Sequence, residues 1–160
     1  MDIDSSGHSD HDHADMVCVR ATCVSLNGVG VLLRGPSGAG KSDLALRLLA
    51  RGAVFVADDN TDLAVRDGRL YATAPSAIIG LIEVRGIGVV AIGGAAETEV
   101  RVVIDLVTPD EVERMPEEQW CEVVAGIRMR RFALAAFEAS ATAKVAVAVQ
   151  VATGCLPLIS

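Results

Sequence analysis

Hydrophobic and polar positions alternate along much of the chain with the period of β-strands. Residues 16–26, MVCVRATCVSL, combine β-branched side chains with partial alternation, and residues 29–34, VGVLLR, form a second apolar run. Asn27 and Gly28 lie between these runs and form a dipeptide typical of a tight hairpin turn. The pattern therefore predicts a β-hairpin whose second strand leads into a glycine-rich segment.

The residues that follow this glycine-rich segment change to a helical pattern and then return to a strand. In residues 41–52, KSDLALRLLARG, leucines stand among good helix formers, and Gly52 supplies a stop signal. The next segment, AVFVADD, is an apolar strand over residues 53–59 that ends in Asp58 and Asp59. This order of strand, glycine-rich loop, helix and strand is the central unit of the predicted fold.

The second half of the chain adds mainly strands. In chain order, the pattern predicts a hairpin at 63–73 that turns at Asp67-Gly68, a short helix or turn at 75–80, a strand-like segment at 81–92, a strand at 98–107, an exposed loop or short helix at 109–119 and a strand at 128–134. At residues 136–150 alanine favours a helix while the alternation in KVAVAVQV favours a strand, and we expect the helix. Hairpins beside a strand–helix–strand unit predict an α/β domain with a mixed sheet and flanking helices.

Length and charge narrow the classes of function. The chain has 160 residues, enough for one domain with its own core, and we assign residues 16–160 to that domain. Apolar residues make up 51% of the chain but aromatic residues only 3%, so the core is predicted to be aliphatic. A net charge of −7 disfavours general binding to nucleic acid or anionic membranes, because both are polyanions. No apolar run reaches the ~18 residues of a membrane span.

The histidines and cysteines of the chain are residue types that can bind metals, but their positions do not indicate a metal site. Residues 1–15 are polar and cannot bury enough apolar surface to fold, so we expect a disordered tail that lacks the pattern of a secretory signal. His8, His11 and His13 would also suit a metal-binding tail. The four cysteines contain no C-x-x-C pair, which favours free thiols in a reducing cytoplasm over disulfides or a zinc site.

The glycine-rich segment GPSGAGKS fits the phosphate-binding loop pattern G-x-x-x-x-G-K-[ST]. Its glycines let backbone N–H groups approach phosphate oxygens closely, and the following helix adds its positive N-terminal end. Lys41 brings a charge to the β- and γ-phosphates, and Ser42 offers its hydroxyl to Mg²⁺. The eight residues of the predicted nucleotide site are Gly35, Pro36, Ser37, Gly38, Ala39, Gly40, Lys41 and Ser42.

Two carboxylates follow the strand after the helix. Asp58 and Asp59 close an apolar strand, and strand ends beside a phosphate-binding loop face the ligand crevice of an α/β sheet. One carboxylate could orient Mg²⁺ or its waters, and the other could accept a proton from an attacking hydroxyl. Taken alone, the two aspartates are most simply interpreted as a polar turn at the end of the strand. The phosphate-binding loop that precedes them favours a functional role.

A third polar group stands on the strand-like segment 81–92. Glu83 and Arg85 are two residues apart, so they share a face of a strand, and Gly86 and Gly88 follow at once. Glu83 could complete the Mg²⁺ shell with Ser42, while Arg85 could clamp phosphate. Taken alone, the pair also fits a surface ion pair before a turn.

These pieces, in this order, resemble the kinase domain of HPr kinase/phosphorylase, a P-loop fold of the HPr kinase/PEP carboxykinase type. The residues that carry the resemblance are NGVGVLLRGPSGAGKSDLALRLLARGAVFVADD at 27–59 and LIEVRGIGVV at 81–90. The resemblance covers residues 17 to about 107 well. Residues 113–145 are similar to the ending of the short alphaproteobacterial form, which has only the C-terminal kinase domain.

The resemblance implies a Mg²⁺-dependent enzyme that transfers phosphate from ATP or pyrophosphate to a serine of the phosphocarrier protein HPr, and that removes it by phosphorolysis. By matching positions, it implies that Lys41 binds phosphate and that Ser42 and Glu83 hold Mg²⁺. Asp58 would be the base, and the acid of the reverse reaction, with support from Asp59. Arg85 lies in a segment used in both reactions. The resemblance also implies a homo-oligomer, since long members form hexamers through this domain, and the free thiols favour a cytoplasmic location.

The chain departs from the family pattern at three places. Arg20 stands where the family has a catalytic histidine, and an arginine cannot shuttle a proton near neutral pH. Asn60 follows the paired aspartates where a basic residue is frequent, and the later proline-glycine-arginine segment has no clear counterpart. Kinase activity is therefore better supported than phosphorylase activity. A regulatory ATP-binding module without phosphate transfer and a P-loop kinase of a small molecule are the alternatives.

Overall fold

One large mixed sheet with helices on one face forms the framework of residues 16–159, the part of the chain that the computed structural model describes. The elements in chain order are β1 (Met16–Val19), β2 (Thr22–Leu26), β3 (Val29–Arg34), α1 (Lys41–Leu49), β4 (Val54–Ala57), β5 (Thr61–Arg66), β6 (Arg69–Thr73), β7 (Leu81–Val84), β8 (Gly88–Ala91), β9 (Thr98–Leu106), β10 (Gln119–Cys121), β11 (Met129–Leu134) and α2 (Ala141–Ala152). The predicted tail of residues 1–15, with its three histidines, lies outside this part.

The hairpin before the glycine-rich loop forms as the sequence predicts. Asn27 and Gly28 both have positive φ values, 51° and 80°, which is the conformation of a two-residue turn that matches strand twist. The turn sets Leu26 opposite Val29 and pairs β2 with β3 along their whole length. The second predicted hairpin, β5–β6, turns at Asp67 and Gly68 in the same way, with φ values of 53° and 73°.

The order of strands determines which strand ends meet at the predicted site. The large sheet runs β1-β5-β6-β9-β3-β2-β4, with β11 parallel to β9 and β10 beside β11. The strand that ends in the two aspartates, β4, is not the neighbour of β3, because β2 lies between them and is antiparallel to both. Since β3 and β4 still run in the same direction, their carboxyl ends meet at one edge of the sheet. The fold class, α/β with a mixed sheet and flanking helices, is confirmed.

Three of the predicted secondary-structure elements can be compared in detail with the observed ones. The single strand-like run at residues 16–26 is two strands, since β1 pairs with β5 whereas β2 pairs with β3 and β4. The predicted loop at 109–119 is followed by a short strand, β10 at Gln119–Cys121, which the pattern did not reveal. Helix α2 begins within the ambiguous segment 136–150, at Ala141, and extends to Ala152, which confirms the prediction of a helix. Its buried residues repeat with helical spacing and are Ala141, Thr142, Val145, Ala148 and Val149.

The core has a layer on each face of the sheet. Alternate residues of β3 serve both layers, with Val31 and Leu33 packing under the helices and Leu32 facing the opposite side. The four cysteines are free, as predicted. Burial raises the pKa of the Cys23 thiol to about 12, so this side chain behaves as a small apolar group. Among residues 16–159 no helix is long and apolar enough to cross a bilayer.

A charged cluster joins three strands near the end of β9. Arg34 donates to both carboxylate oxygens of Asp105, from Nε to Oδ1 at 2.8 Å and from Nη2 to Oδ2 at 3.0 Å. Arg131 donates from Nε to Oδ2 at 2.5 Å. Burial alone would raise the pKa of Asp105, but the hydrogen bonds from the two arginines together outweigh it and lower the pKa from its ordinary value of 3.8.

Replacing Asp105 with asparagine is therefore expected to lower the free energy of unfolding by about 1.5–3 kcal/mol at pH 7, the range for hydrogen bonds to a charged group. Because the folded-state pKa is depressed, this stabilisation is complete above pH 3.8 and is lost as the pH falls through the folded-state value. Urea unfolding of wild type and Asp105→Asn at pH 7 and at pH 3 measures both effects. The exposed Glu117→Gln serves as control. An equal loss in both variants would contradict the assignment.

Candidate active site

The loop between β3 and α1 has the backbone shape that a phosphate cradle requires. The N–H of Ala39 donates to the carbonyl of Pro36 at 3.0 Å, and Gly38 and Gly40 have φ values of 85° and 99°. Helix α1 starts directly after Gly40, so its N-terminal N–H groups open toward the space in front of the loop. A Cβ on Gly40 would lie 2.8 Å from Cβ of Ala136, so close packing as well as conformation requires glycine there.

This difference between the two glycines gives a testable prediction. Gly40→Ala should weaken nucleotide binding and lower the unfolding midpoint, because alanine meets both a left-handed φ, worth roughly 1–2 kcal/mol, and a steric overlap. Gly38→Ala is the matched control, since its φ is also positive but nothing lies within 4 Å of an added Cβ. Thermal unfolding and nucleotide titration of both variants measure the effect. Equal losses in the two variants would contradict the packing argument.

Lys41 is buried in the site and turned toward its own loop. Its side chain is only 7% exposed, and Nζ donates to the carbonyl oxygens of Gly35 at 2.6 Å and Pro36 at 3.3 Å. Nζ also lies 3.8 Å from Oδ1 of Asp59. The ammonium group of Lys41 is thus held beside the space in which the loop would bind a phosphate.

Asp58 forms the floor of the site and is held by three donors. Ser42 donates from Oγ to Oδ1 at 2.6 Å, and Thr22 donates from Oγ1 to the same oxygen at 3.2 Å. The backbone N–H of Glu83 donates to Oδ2 at 3.1 Å. Asp58 therefore links the phosphate-binding loop, the start of β2 and strand β7. Among these contacts, Thr22 was not predicted from the sequence.

Asp59 lies next to Asp58 in a different environment. Its φ is 63°, a conformation that aspartate tolerates better than most residues, and its N–H donates to Oγ1 of Thr22 at 3.0 Å. Its half-exposed carboxylate accepts a hydrogen bond from Nη2 of Arg20 at 3.3 Å. Asp59 thus lies between two positive groups, Arg20 and Lys41, so Arg20 belongs to the site as a charged neighbour.

The hairpin β7–β8 closes one side of the site. The three-residue turn between the two strands contains Arg85. The backbone N–H of Glu83 donates to Asp58. The side chains of Glu83 and Arg85 are exposed and line the cavity. Gly86 and Gly88 have φ values of 87° and 130°, which explains the glycines in this turn. In the described residues Glu83 forms no hydrogen bond with Ser42, whose hydroxyl is directed to Asp58.

The cavity bounded by these elements has a volume of about 310 Å³. It brings together the predicted residues Ser37, Gly38, Gly40, Lys41, Ser42, Asp58, Asp59, Glu83 and Arg85. The other three loop residues, Gly35, Pro36 and Ala39, shape the turn and do not line the cavity. The cavity also contains Phe137, which is 70% exposed and which sequence reasoning missed. The one sequence feature that could have drawn attention to Phe137 is that the chain has only three phenylalanines.

The oxygen-bearing side chains suit a magnesium ion better than a transition metal. Within residues 16–159 no group of three or more His, Cys, Asp or Glu side chains is placed to hold a metal ion by itself. Mg²⁺ at nucleotide sites is typically bound through one or two protein oxygens together with phosphates and waters. The hydroxyl of Ser42 and the carboxylate of Glu83, which both line the cavity, provide such a partial donor set.

The β3–loop–α1 unit and the acidic floor of the cavity define the protein as a P-loop domain. The chain belongs to the family described as HPr Serine kinase C-terminal domain, which its sequence matches over residues 11–154. The family predicted from the sequence is thereby confirmed.

Individual relatives agree with this assignment. The HPr kinase/phosphorylase of Variovorax paradoxus is 35% identical over 130 residues, which are 74% of this chain and 41% of that protein. The protein of the same name from Clostridium botulinum is 45% identical over 67 residues, 42% of this chain and 22% of that protein. The solved structure of the Hpr(Ser) kinase/phosphatase from Coxiella burnetii matches with a TM-score of 0.73 and 26% identity, covering 84% of this chain and 94% of that one. The chain spans less than half the length of these two curated relatives.

Proposed function

We propose that this protein transfers the γ-phosphoryl group of ATP to a serine hydroxyl of HPr. The observation that carries the proposal is the 2.6 Å hydrogen bond between Ser42 Oγ and Asp58 Oδ1. It places a buried carboxylate directly beside the phosphate-binding loop in one cavity, so a base for the attacking alcohol would lie next to the phosphate that is transferred. Family membership and the names of the relatives support HPr as the protein substrate.

Binding of ATP rests on the loop and its lysine. Backbone N–H groups around Gly38 and Gly40 and the start of α1 accommodate the phosphate oxygens, and Lys41 supplies positive charge to the β- and γ-phosphates. Ser42 and Glu83 are the proposed ligands of Mg²⁺. When bound, Mg²⁺ neutralises phosphate charge and orients the transferred group. Arg85, exposed in the turn of the β7–β8 hairpin, acts as a phosphate clamp.

Asp58 is the proposed base of the forward reaction. Its carboxylate is buried and fixed by Thr22 and the N–H of Glu83, so it is held in one orientation toward the cavity. It removes the proton of the attacking serine hydroxyl as the new oxygen–phosphorus bond forms and the bond between the γ-phosphorus and the β-phosphate oxygen breaks, which releases ADP. Asp59 supports it by balancing the charges of Lys41 and Arg20.

Arg20 favours the forward direction over phosphorolysis. It takes the place of the histidine in the resembled family, and its guanidinium stays charged near neutral pH. Removal of phosphate from serine with formation of pyrophosphate would then rely on Asp58 alone as acid. We therefore propose a kinase with at most slow phosphorylase activity. A cytoplasmic location, where ATP is available, and a homo-oligomeric state complete the proposal.

The test is transfer of label from γ-labelled ATP with Mg²⁺ to purified HPr, with an HPr variant that has alanine at the target serine as control. We expect label on wild-type HPr and none on the alanine variant. ATP binding without label transfer or ADP release would favour a regulatory ATP-binding module instead. ADP release that is independent of HPr would favour a hydrolase or a kinase of a small molecule.

A further inference from the structure

The active-site cavity contains one aromatic side chain that the proposed phosphoryl transfer does not use. Among the described residues that line this cavity, Phe137 is the only aromatic one, and it is 70% exposed. A single exposed apolar side chain needs no explanation on an open surface. Phe137 lies instead in a cavity that is lined mainly by charged and polar groups, so a ligand bound there would cover its ring.

The ring of Phe137 packs directly beside the phosphate-binding loop. A Cβ built on Gly40 would lie 2.9 Å from Cζ of Phe137, so the ring is in contact with the last loop residue before Lys41. Helix α1 contributes Leu46 to the same cavity, and Leu46 is 37% exposed. Leu46 follows Ser42 by four residues, so it lies on the same face of the helix, one turn further from the loop. Phe137 and Leu46 therefore give the cavity apolar surface beside both the loop and the first turns of α1.

The segment that carries Phe137 is anchored to α1 by a single arginine. Arg47 donates from Nη2 to the carbonyl of Ala136 and from Nη1 to the carbonyl of Glu138, the latter at 3.4 Å. Nε of Arg47 donates to Oδ2 of Asp43 at 3.0 Å. The carbonyls before and after Phe137 are thus held by the helix that begins at the loop. Because this backbone is already fixed in the free protein, a ligand that binds the ring has less ordering entropy to overcome.

The other residues of the cavity determine which end of ATP lies near Phe137. The loop and its lysine are the proposed site of the phosphates, and Asp58 is the proposed base beside the γ-phosphate. Val84, the third apolar side chain of the lining, follows Glu83, whose N–H donates to Asp58, and so belongs to the γ-phosphate end. Phe137 and Leu46 have no part in the proposed phosphate chemistry. They are therefore the apolar surface that remains for the nucleoside.

We propose that Phe137 binds the adenine base of ATP by stacking, with Leu46 as its apolar neighbour. The inference rests on the proposed function, because it presupposes that the loop binds the triphosphate of ATP. An aromatic ring stacks on the π-face of a base and adds affinity without hydrogen bonds to the edge of that base. Phe137 therefore makes the site prefer a nucleotide over a base-free phosphate.

The test compares ATP with tripolyphosphate, which has the same three phosphates and no nucleoside. Titration calorimetry in the presence of Mg²⁺ measures both ligands on wild type and on Phe137→Ala. We expect the variant to bind ATP about 5–150-fold more weakly, the range for one base stacked on an aromatic side chain. Tripolyphosphate should bind as tightly as it does to wild type. Since Phe137 is largely exposed, its truncation should leave folding nearly unchanged, which thermal unfolding without ligand checks.

Further variants separate stacking from general hydrophobicity. Phe137→Tyr keeps the aromatic ring and should retain the affinity for ATP, whereas Phe137→Leu keeps an apolar side chain without a ring and should lose most of the stacking contribution. Ile79→Ala is the matched surface control, because Ile79 is 65% exposed and does not line the cavity. This control should bind ATP like wild type.

Three results would overturn the base site. If Phe137→Ala bound both ligands more weakly to the same extent, or if Ile79→Ala lost as much ATP affinity, the ring would not be specific for the base. If Phe137→Ala or Phe137→Leu kept the ATP affinity of wild type, stacking would be excluded, and a raised KM for HPr would assign the ring to the protein substrate. In both cases the loop would still bind the triphosphate. If wild type bound neither ligand, the proposed function would fail together with the base site.

Discussion

Replacing Asp58 with asparagine is expected to reduce the rate of phosphoryl transfer to HPr by about 10²–10⁴-fold, the usual contribution of a positioned general base. The amide oxygen of asparagine can still accept the hydrogen bonds from Ser42 and Thr22, whereas its NH₂ group cannot accept the third one, from the N–H of Glu83. An amide cannot accept the proton of the attacking serine hydroxyl. Rate measurements at saturating ATP, together with the KM for ATP, separate loss of the base from loss of binding.

The matched control for this change is Asp67→Asn. Asp67 is exposed in the turn between β5 and β6, and asparagine tolerates its positive φ equally well. We expect the control to transfer phosphate at the wild-type rate. If Asp58→Asn kept more than about a tenth of the wild-type rate, Asp58 could not be the base. The half-exposed Asp59 would then be the next candidate.

Replacing Lys41 with methionine is expected to weaken ATP binding by about 10–100-fold, because charge-assisted hydrogen bonds to phosphate contribute about 1.5–3 kcal/mol. Methionine retains most of the apolar stem of this buried side chain, so folding should be little affected. Titration calorimetry with ATP and Mg²⁺, and thermal unfolding without nucleotide, measure the two effects separately.

The chain provides a direct control, since Lys144 is its only other lysine. Lys144 is on the exposed side of α2, where Nζ lies 3.7 Å from a carboxylate oxygen of Glu138. Lys144→Met makes the same chemical change and should leave ATP affinity within about twofold, because exposed ion pairs contribute little. Equal losses of affinity in both variants would mean that overall charge, and not the position of Lys41, determines ATP binding.

The features that local sequence encodes could be predicted. The Asn27-Gly28 turn and the loop from Gly35 to Ser42 depend on the backbone preferences of a few adjacent residues, so their patterns were sufficient. The helix at Lys41–Leu49 followed from leucine spacing, and Gly52, with a φ of 99°, lies just beyond its end as expected. The residues predicted for the site were those whose side-chain type and place in a local motif already indicate their chemistry.

Features that depend on pairing between distant segments could not be predicted. The position of β2 between β3 and β4 is set by register over the whole sheet, and it is this position that brings Thr22 to Asp58. Phe137 lines the cavity although it is about 100 residues away in sequence from the phosphate-binding loop. Local periodicity cannot predict a contact between such distant segments. Strand β10 has three residues, too few to show a period.

The side chains proposed to bind the triphosphate of ATP with Mg²⁺ and to act in phosphoryl transfer to HPr, namely Lys41, Ser42, Asp58, Asp59, Glu83 and Arg85, all lie between Gly35 and Arg85, yet this stretch is not a transferable module. Strand β3 has β9 as its parallel neighbour, and Gly40 packs against Ala136 from the far end of the chain. A truncated polypeptide ending at residue 92 would keep every reactive group but leave one edge of β3 open and the loop without its support. Grafting the site onto another scaffold would therefore require its distant strands as well as its motif.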